Sequence, residues 1–175
     1  MFRRLFGRAA PPQPDTTAWW REANDLAAAP DADRIATLKT GISDPDEFPD
    51  SAESQEEMLD GLARLLDFVQ APGLPVVATQ HQVIGRAVCH FLAPASLVDQ
   101  VDAAGKLFAT SDRLVFAAGA VRQWPWHAVT GLTRVERDVV IDVRGQPAAA
   151  RLRLNSYGDA LLVVSIAGRL RPNQP

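Results

Sequence analysis

The stretch Gly105-Lys-Leu-Phe-Ala-Thr-Ser-Asp-Arg-Leu-Val-Phe-Ala-Ala-Gly119 decides the fold. Two apolar runs, Leu107–Ala109 and Leu114–Ala117, flank the polar Thr110-Ser111-Asp112-Arg113. Ser and Asp side chains hydrogen-bond nearby backbone groups and so favour a turn. Leu, Val and Phe suit a pleated, half-buried surface. The pattern predicts a β-hairpin with a short loop, with Leu107, Leu114 and Phe116 in its core.

Short β units continue on both sides. Upstream, after Pro72-Gly73, Leu74–Gln80 and Val83–Leu92 read as strands, with Gly85 permitting a bulge. Downstream lie Val121–Trp126, Val129–Val135, Val139–Val143 and Ala149–Leu154. Glu136-Arg137-Asp138 and Gly145-Gln146-Pro147 separate them as turns. Arg151-Leu152-Arg153-Leu154 alternates cleanly, the mark of a half-exposed strand. About eight close-spaced strands argue a small barrel or sandwich. The final segment, Ala160–Leu170, is apolar nearly all round, and period alone leaves helix and strand both open.

The N-terminal part is different in kind. Thr16–Ala29 reads as a helix capped by Asp15 or Thr16, with Trp19, Ala23 and Leu26 on one face. Asp31–Thr40 is a second short helix, with Ile35 and Leu38 inward, and residues 43–53 read as an acidic loop. Ser54–Gln70 is the strongest helix. Ser54-Gln-Glu-Glu57 has capping-box form, and Met58, Leu59, Leu62, Leu65, Leu66 and Val69 recur at helical spacing. A lone helix cannot bury such a stripe, so it is expected to dock on the β-rich part.

Charge divides the chain in the same places. The net charge is −3 over 175 residues. Residues 1–14 carry Arg3, Arg4 and Arg8 and no acid; residues 15–70 carry 4 basic and 14 acidic side chains; residues 71–175 carry 11 and 7. The expected organisation is a flexible basic tail (1–14), an acidic helical segment (15–70) and a β-domain (74–170). No apolar run approaches the ~20 residues of a membrane span. The first residues lack the apolar core of a secretory signal, and the lone Cys89 fits a reducing compartment. A cytoplasmic location, with possible attachment to a membrane periphery, is the expectation.

The order Gly105-x-Leu107-x-Ala-Thr110-x-x-Arg113-Leu114-Val115-Phe116, followed by Trp126-His-Ala-Val129 and Val139-Val-Ile-Asp-Val143, resembles bacterial PH-like and GRAM-like domains. The resemblance covers about residues 74–170. Over those residues it implies a PH-like antiparallel β-barrel or bent sheet of seven strands closed by a C-terminal helix; with the helical N-terminal segment read above, the expected fold is α+β. It thereby reads 159–170 as helix. It also implies a binding module for phosphoinositides, other lipids or protein segments. The segment matching the family's first loop, residues 93–104, holds two aspartates and no cation. Inositol phosphates need several convergent cations.

Chemistry-bearing motifs are sparse. His81, Cys89, His90 and His127 lack the paired spacing of zinc ligands, and no phosphate-cradling or dinucleotide fingerprint occurs. No metal, cofactor or enzymatic activity is expected. Dispersed arginines do not supply the clustered phosphate contacts that nucleic acid requires. Trp124-Pro-Trp126-His127 is the most unusual local composition. Pro125 cannot donate to a ladder, which suits an edge strand. Trp124, Trp126 and His127, with Arg122 and Arg113, are the candidate binding residues for a partner protein segment. The alternative is a lipid-binding peripheral module touching an anionic membrane through Phe2, Arg3, Arg4, Phe6 and Arg8. There, each cation adds about 1 kcal/mol.

Overall fold

A computed structural model describes residues 15–100 and 103–171. The basic tail 1–14, and with it Phe2, Arg3, Arg4, Phe6 and Arg8, lies outside the described residues. The chain builds α1 (Thr17–Ala28), α2 (Ala32–Lys39) and α3 (Pro49–Gln70). A 3-10 turn, Gln82–Ile84, follows. Seven strands come next: β1 (Cys89–Leu97), β2 (Ala104–Thr110), β3 (Arg113–Ala117), β4 (Val121–Pro125), β5 (Val129–Val135), β6 (Asp138–Val143) and β7 (Gln146–Leu154). The last element is α4 (Tyr157–Leu170). The fold is α+β, with one antiparallel sheet in the order β4-β3-β2-β1-β7-β6-β5.

The expected hairpin is β2–β3, with Ser111-Asp112 as its two-residue loop and Phe108 opposite Val115. Leu107, Leu114 and Phe116 are fully buried. The barrel alternative is corrected: β4 and β5 are the two ends of the strand order and do not pair, so the sheet is open. Among the described residues the strand count is seven. Leu74–Gln80 is not a strand, and Val83–Leu92 divides into the 3-10 turn and the start of β1. This segment instead covers the outer sheet face, where Ile84, Cys89, Phe108 and Val115 form a small second core with Val77 and Val83 against it. β1 continues through residues expected to form a loop, because Ala93, Ala95 and Leu97 alternate inward.

The main core lies on the other face, and α4 runs along it. Ala160, Leu161, Val163, Ile166 and Ala167 are buried. A helix apolar all round needs cover on more than one side, and α4 has it: the sheet beneath and α3 above. The helix over 159–170 therefore holds, with Val164 and Leu170 only partly buried.

α3 starts five residues earlier than its apolar stripe predicts. Pro49 occupies its first turn, where the missing N–H costs nothing. Ser54 is thus inside the helix, and the capping-box reading fails. Glu57 Oε1 instead accepts the backbone N–H of Tyr157 at 2.7 Å, satisfying the start of a different helix. Met58, Leu59, Leu62 and Leu65 are buried as expected, but Val69 is 46% exposed and Phe68 takes the inward place. α3 docks chiefly on α4 rather than on the strands. Gly61 and Gly158 form the closest approach, where a Cβ on Gly61 would lie 2.8 Å from the Gly158 Cα. On α1, Trp19, Ala23 and Leu26 are buried, and the Trp19 indole N–H donates to Leu38 O at 3.0 Å, joining α1 to α2. The cap is Asp15, whose carboxylate accepts from Thr17 N; Thr16 makes no side-chain cap.

Candidate functional site

The five candidate residues gather around the β2–β3 loop and β4. Arg113 lies opposite Pro125, Leu114 opposite Trp124 and Phe116 opposite Arg122. Directly opposed residues share a sheet face, so Trp124 and Arg122 stand on the inner face at its rim. Trp124 is half-buried against the core. Trp126 is off the strand and buried. Its indole N–H donates to Thr110 O at 2.8 Å and its backbone N–H to Asp112 O at 3.2 Å, so it pins the loop rather than offering a free surface. Arg113 pairs with Asp112 at 2.6 Å, and the Thr110 hydroxyl donates to the same carboxylate at 2.7 Å. His127 is exposed.

Among the described residues β4 carries one unpaired edge. The bond of Trp126 N–H to Asp112 O and that of Ala118 N–H to Ala120 O fix the alternation of the β3–β4 ladder. In an antiparallel pair, bonded and non-bonded residue pairs alternate. Arg122 and Trp124 thus bond to β3, while Val121 and Gln123 present their N–H and C=O groups outward. Pro125 ends the edge with no donor.

A second constellation escaped the sequence reading. Glu136, Arg137, Asp138, Arg153, Tyr157 and Ser54 line a cleft of about 310 Å³ between the β5–β6 turn and the starts of α3 and α4. Asp138 is 1% exposed. Arg151 Nε reaches one of its oxygens at 2.8 Å and Arg153 Nε the other at 2.7 Å. Burial would raise the Asp138 pKa, but the hydrogen bonds and charges of Arg153 and Arg151 outweigh it and hold the carboxyl below its ordinary value. Arg137 pairs with Glu57 and lies 4.9 Å over the Tyr157 ring. The Trp20 ring packs 5.3 Å from the same tyrosine. Burial, with Glu136 and Glu57 nearby, pushes the Tyr157 pKa up against the opposing pull of Arg137 and Arg134. Glu136 turns the hairpin at φ +56°, in the left-handed region. The available signal was Arg151 and Arg153 two apart on one strand face, with Asp138 directly opposite Arg153.

The cysteine and two of the histidines are each engaged elsewhere. Cys89 is buried, its thiol donates to Phe91 O, and burial pushes its pKa up. His90 Nδ1–H donates to Pro75 O at 2.7 Å, and His81 packs 4.9 Å from Phe108. Among the described residues no three His, Cys, Asp or Glu side chains are grouped to hold a metal, and no helix is long and apolar enough to cross a membrane.

No family model matches this chain. No curated protein matches it either.

Proposed function

We propose that the chain is a PH-like, non-enzymatic module that binds an extended segment of a partner protein along β4. Seven antiparallel strands backed by a C-terminal helix support the PH-like reading. The open edge of β4 carries the functional one. An unpaired edge strand adds a further strand through main-chain bonds, while neighbouring side chains set specificity. Val121 and Gln123 supply those bonds. Half-buried Trp124 supplies an apolar contact beside them, and Arg122, on the same face, supplies a cation.

The test is Gln123→Pro. Proline there removes an outward N–H and leaves the bonds to β3 in place, which edge strands tolerate. Peptides selected from a displayed random library on the wild-type chain should lose at least tenfold in affinity for this variant. They should also shift the amide resonances of Val121 and Gln123. Peptides that bind both forms equally, or a library that yields none, would refute the assignment.

A further inference from the structure

The cleft between the β5–β6 turn, α3 and α4 has features that the edge-strand reading leaves unused. Its two arginines are held by counter-ions that are already spent. Asp138 is enclosed and engaged by Arg151 and Arg153 through both oxygens. Glu57 is engaged by Arg137 through one oxygen and by the Tyr157 backbone N–H through the other. These carboxylates position the guanidinium groups and offer nothing to a cation. Arg153 keeps 58% of its side chain exposed and Arg137 38%. Ser54 and Tyr157 bring hydroxyl groups to the same walls.

Glu136 is the exception. It is exposed, lines the cleft, and sits at φ +56° on a non-glycine residue. The cleft therefore opposes two fixed guanidinium groups to one uncommitted carboxylate.

We propose that this cleft binds a small hydroxyl-bearing phosphomonoester, of the sugar-phosphate class. Guanidinium forks match phosphoryl oxygens in geometry and charge. The Ser54 and Tyr157 hydroxyls complete the donor set, and the Glu136 carboxylate accepts from hydroxyls of the organic part. The volume, about 310 Å³, exceeds what a phosphate ion fills and sits at the lower end of small-molecule sites. The site is formed by the starts of α3 and α4, the β5–β6 turn and the end of β7.

Titration calorimetry on the full chain tests this with ribose 5-phosphate, inorganic phosphate, ribose and succinate, each at matched ionic strength. Ribose 5-phosphate should bind saturably and shift the amides of Ser54, Glu136, Arg137 and Tyr157. Inorganic phosphate should bind at least tenfold more weakly, and ribose and succinate not measurably. Arg153→Lys keeps the charge but loses the fork and should weaken binding at least tenfold. Ser54→Ala, mild in a helix, should weaken it about threefold, and it keeps the test open if the arginine variant fails to fold. Vesicles of phosphatidic acid, which carry the same phosphomonoester on a lipid, should not sediment with the protein. Four results would overturn the proposal: no saturable binding, equal binding of inorganic phosphate or succinate, unchanged affinity in both variants, or capture by the vesicles alone.

Discussion

Replacing Gly61 with alanine sets two known effects against each other. In a helix interior, Gly→Ala gains about 1 kcal/mol from propensity. At Gly61 the new methyl would lie 2.8 Å from Gly158 Cα, 2.9 Å from Gly158 N and 3.2 Å from Leu161 Cδ1. The first two are backbone atoms of α4, which cannot swing aside as a side chain can. Relief requires α3 and α4 to separate, and overpacking of this sort costs about 1–3 kcal/mol. The net expectation is a loss of roughly 1 kcal/mol. Gly168→Ala is the control: it is on α4, exposed, with nothing within 4 Å of its Cβ. There the propensity gain stands alone, about 0.5–1 kcal/mol. The two variants should thus bracket the wild type, some 2 kcal/mol apart, in urea unfolding at unchanged slope. For a chain of this size each kcal/mol moves the melting midpoint by about 2–4 °C. If Gly61→Ala stabilises as much as Gly168→Ala, the helices do not meet at these glycines and the account of the docking is wrong.

Other expectations follow from the core and the ion cluster. Phe116→Ala should cost about 3–5 kcal/mol, read from the unfolding midpoint, because the ring is fully buried. Asp138→Asn should cost about 1.5–3 kcal/mol, the worth of hydrogen bonds to a charged group. The larger loss of a broken buried pair does not apply, since Arg151 and Arg153 are 43% and 58% exposed and return to water. The Asp138 pKa is depressed in the fold, so its contribution is complete above the unfolded value of about 3.9 and disappears as pH falls through the lower folded value. Wild-type stability should therefore drop on acidification below about pH 4, and the Asn variant should show a shallower drop over that range. Removing residues 1–70 should uncover the α4 face that α3 covers, seen as dye binding to apolar surface and loss of solubility; an equally soluble fragment would contradict the layering.

The hairpin at 105–119 was legible because its two apolar runs and the turn chemistry between them agree. The inward face of α1 was legible for the same reason. β1 was harder to see: Ala93 and Ala95 face inward, but alanine contributes little to an alternating pattern, and Pro94 interrupts it. The run Leu74–Gln80 misled in the opposite sense, since Val77 packs as part of a covering segment rather than a ladder and Val76 is exposed. The capping signature at Ser54 was read as local, whereas Glu57 satisfies a helix 100 residues away. The cleft failed to appear for the same reason. Its members come from α3, one turn, β6, β7 and α4, and only the register of β6 on β7 brings Asp138 to Arg153.

The ties between α3 and α4 have a temporal side. Glu57 meets Tyr157, Arg64 meets Asp159 and Phe68 meets Arg169 across 100, 95 and 101 residues. Ribosomes add about 5–20 residues per second. α3 is therefore complete roughly 5–20 s before the helix that covers it has been synthesised. Through that interval the side of α3 that faces α4 has no cover, while all seven strands emerge. A message cut short between codons 154 and 157 would yield every strand and the first three helices but no middle layer. Such a product would be a substrate for chaperones and proteases rather than a smaller version of the protein.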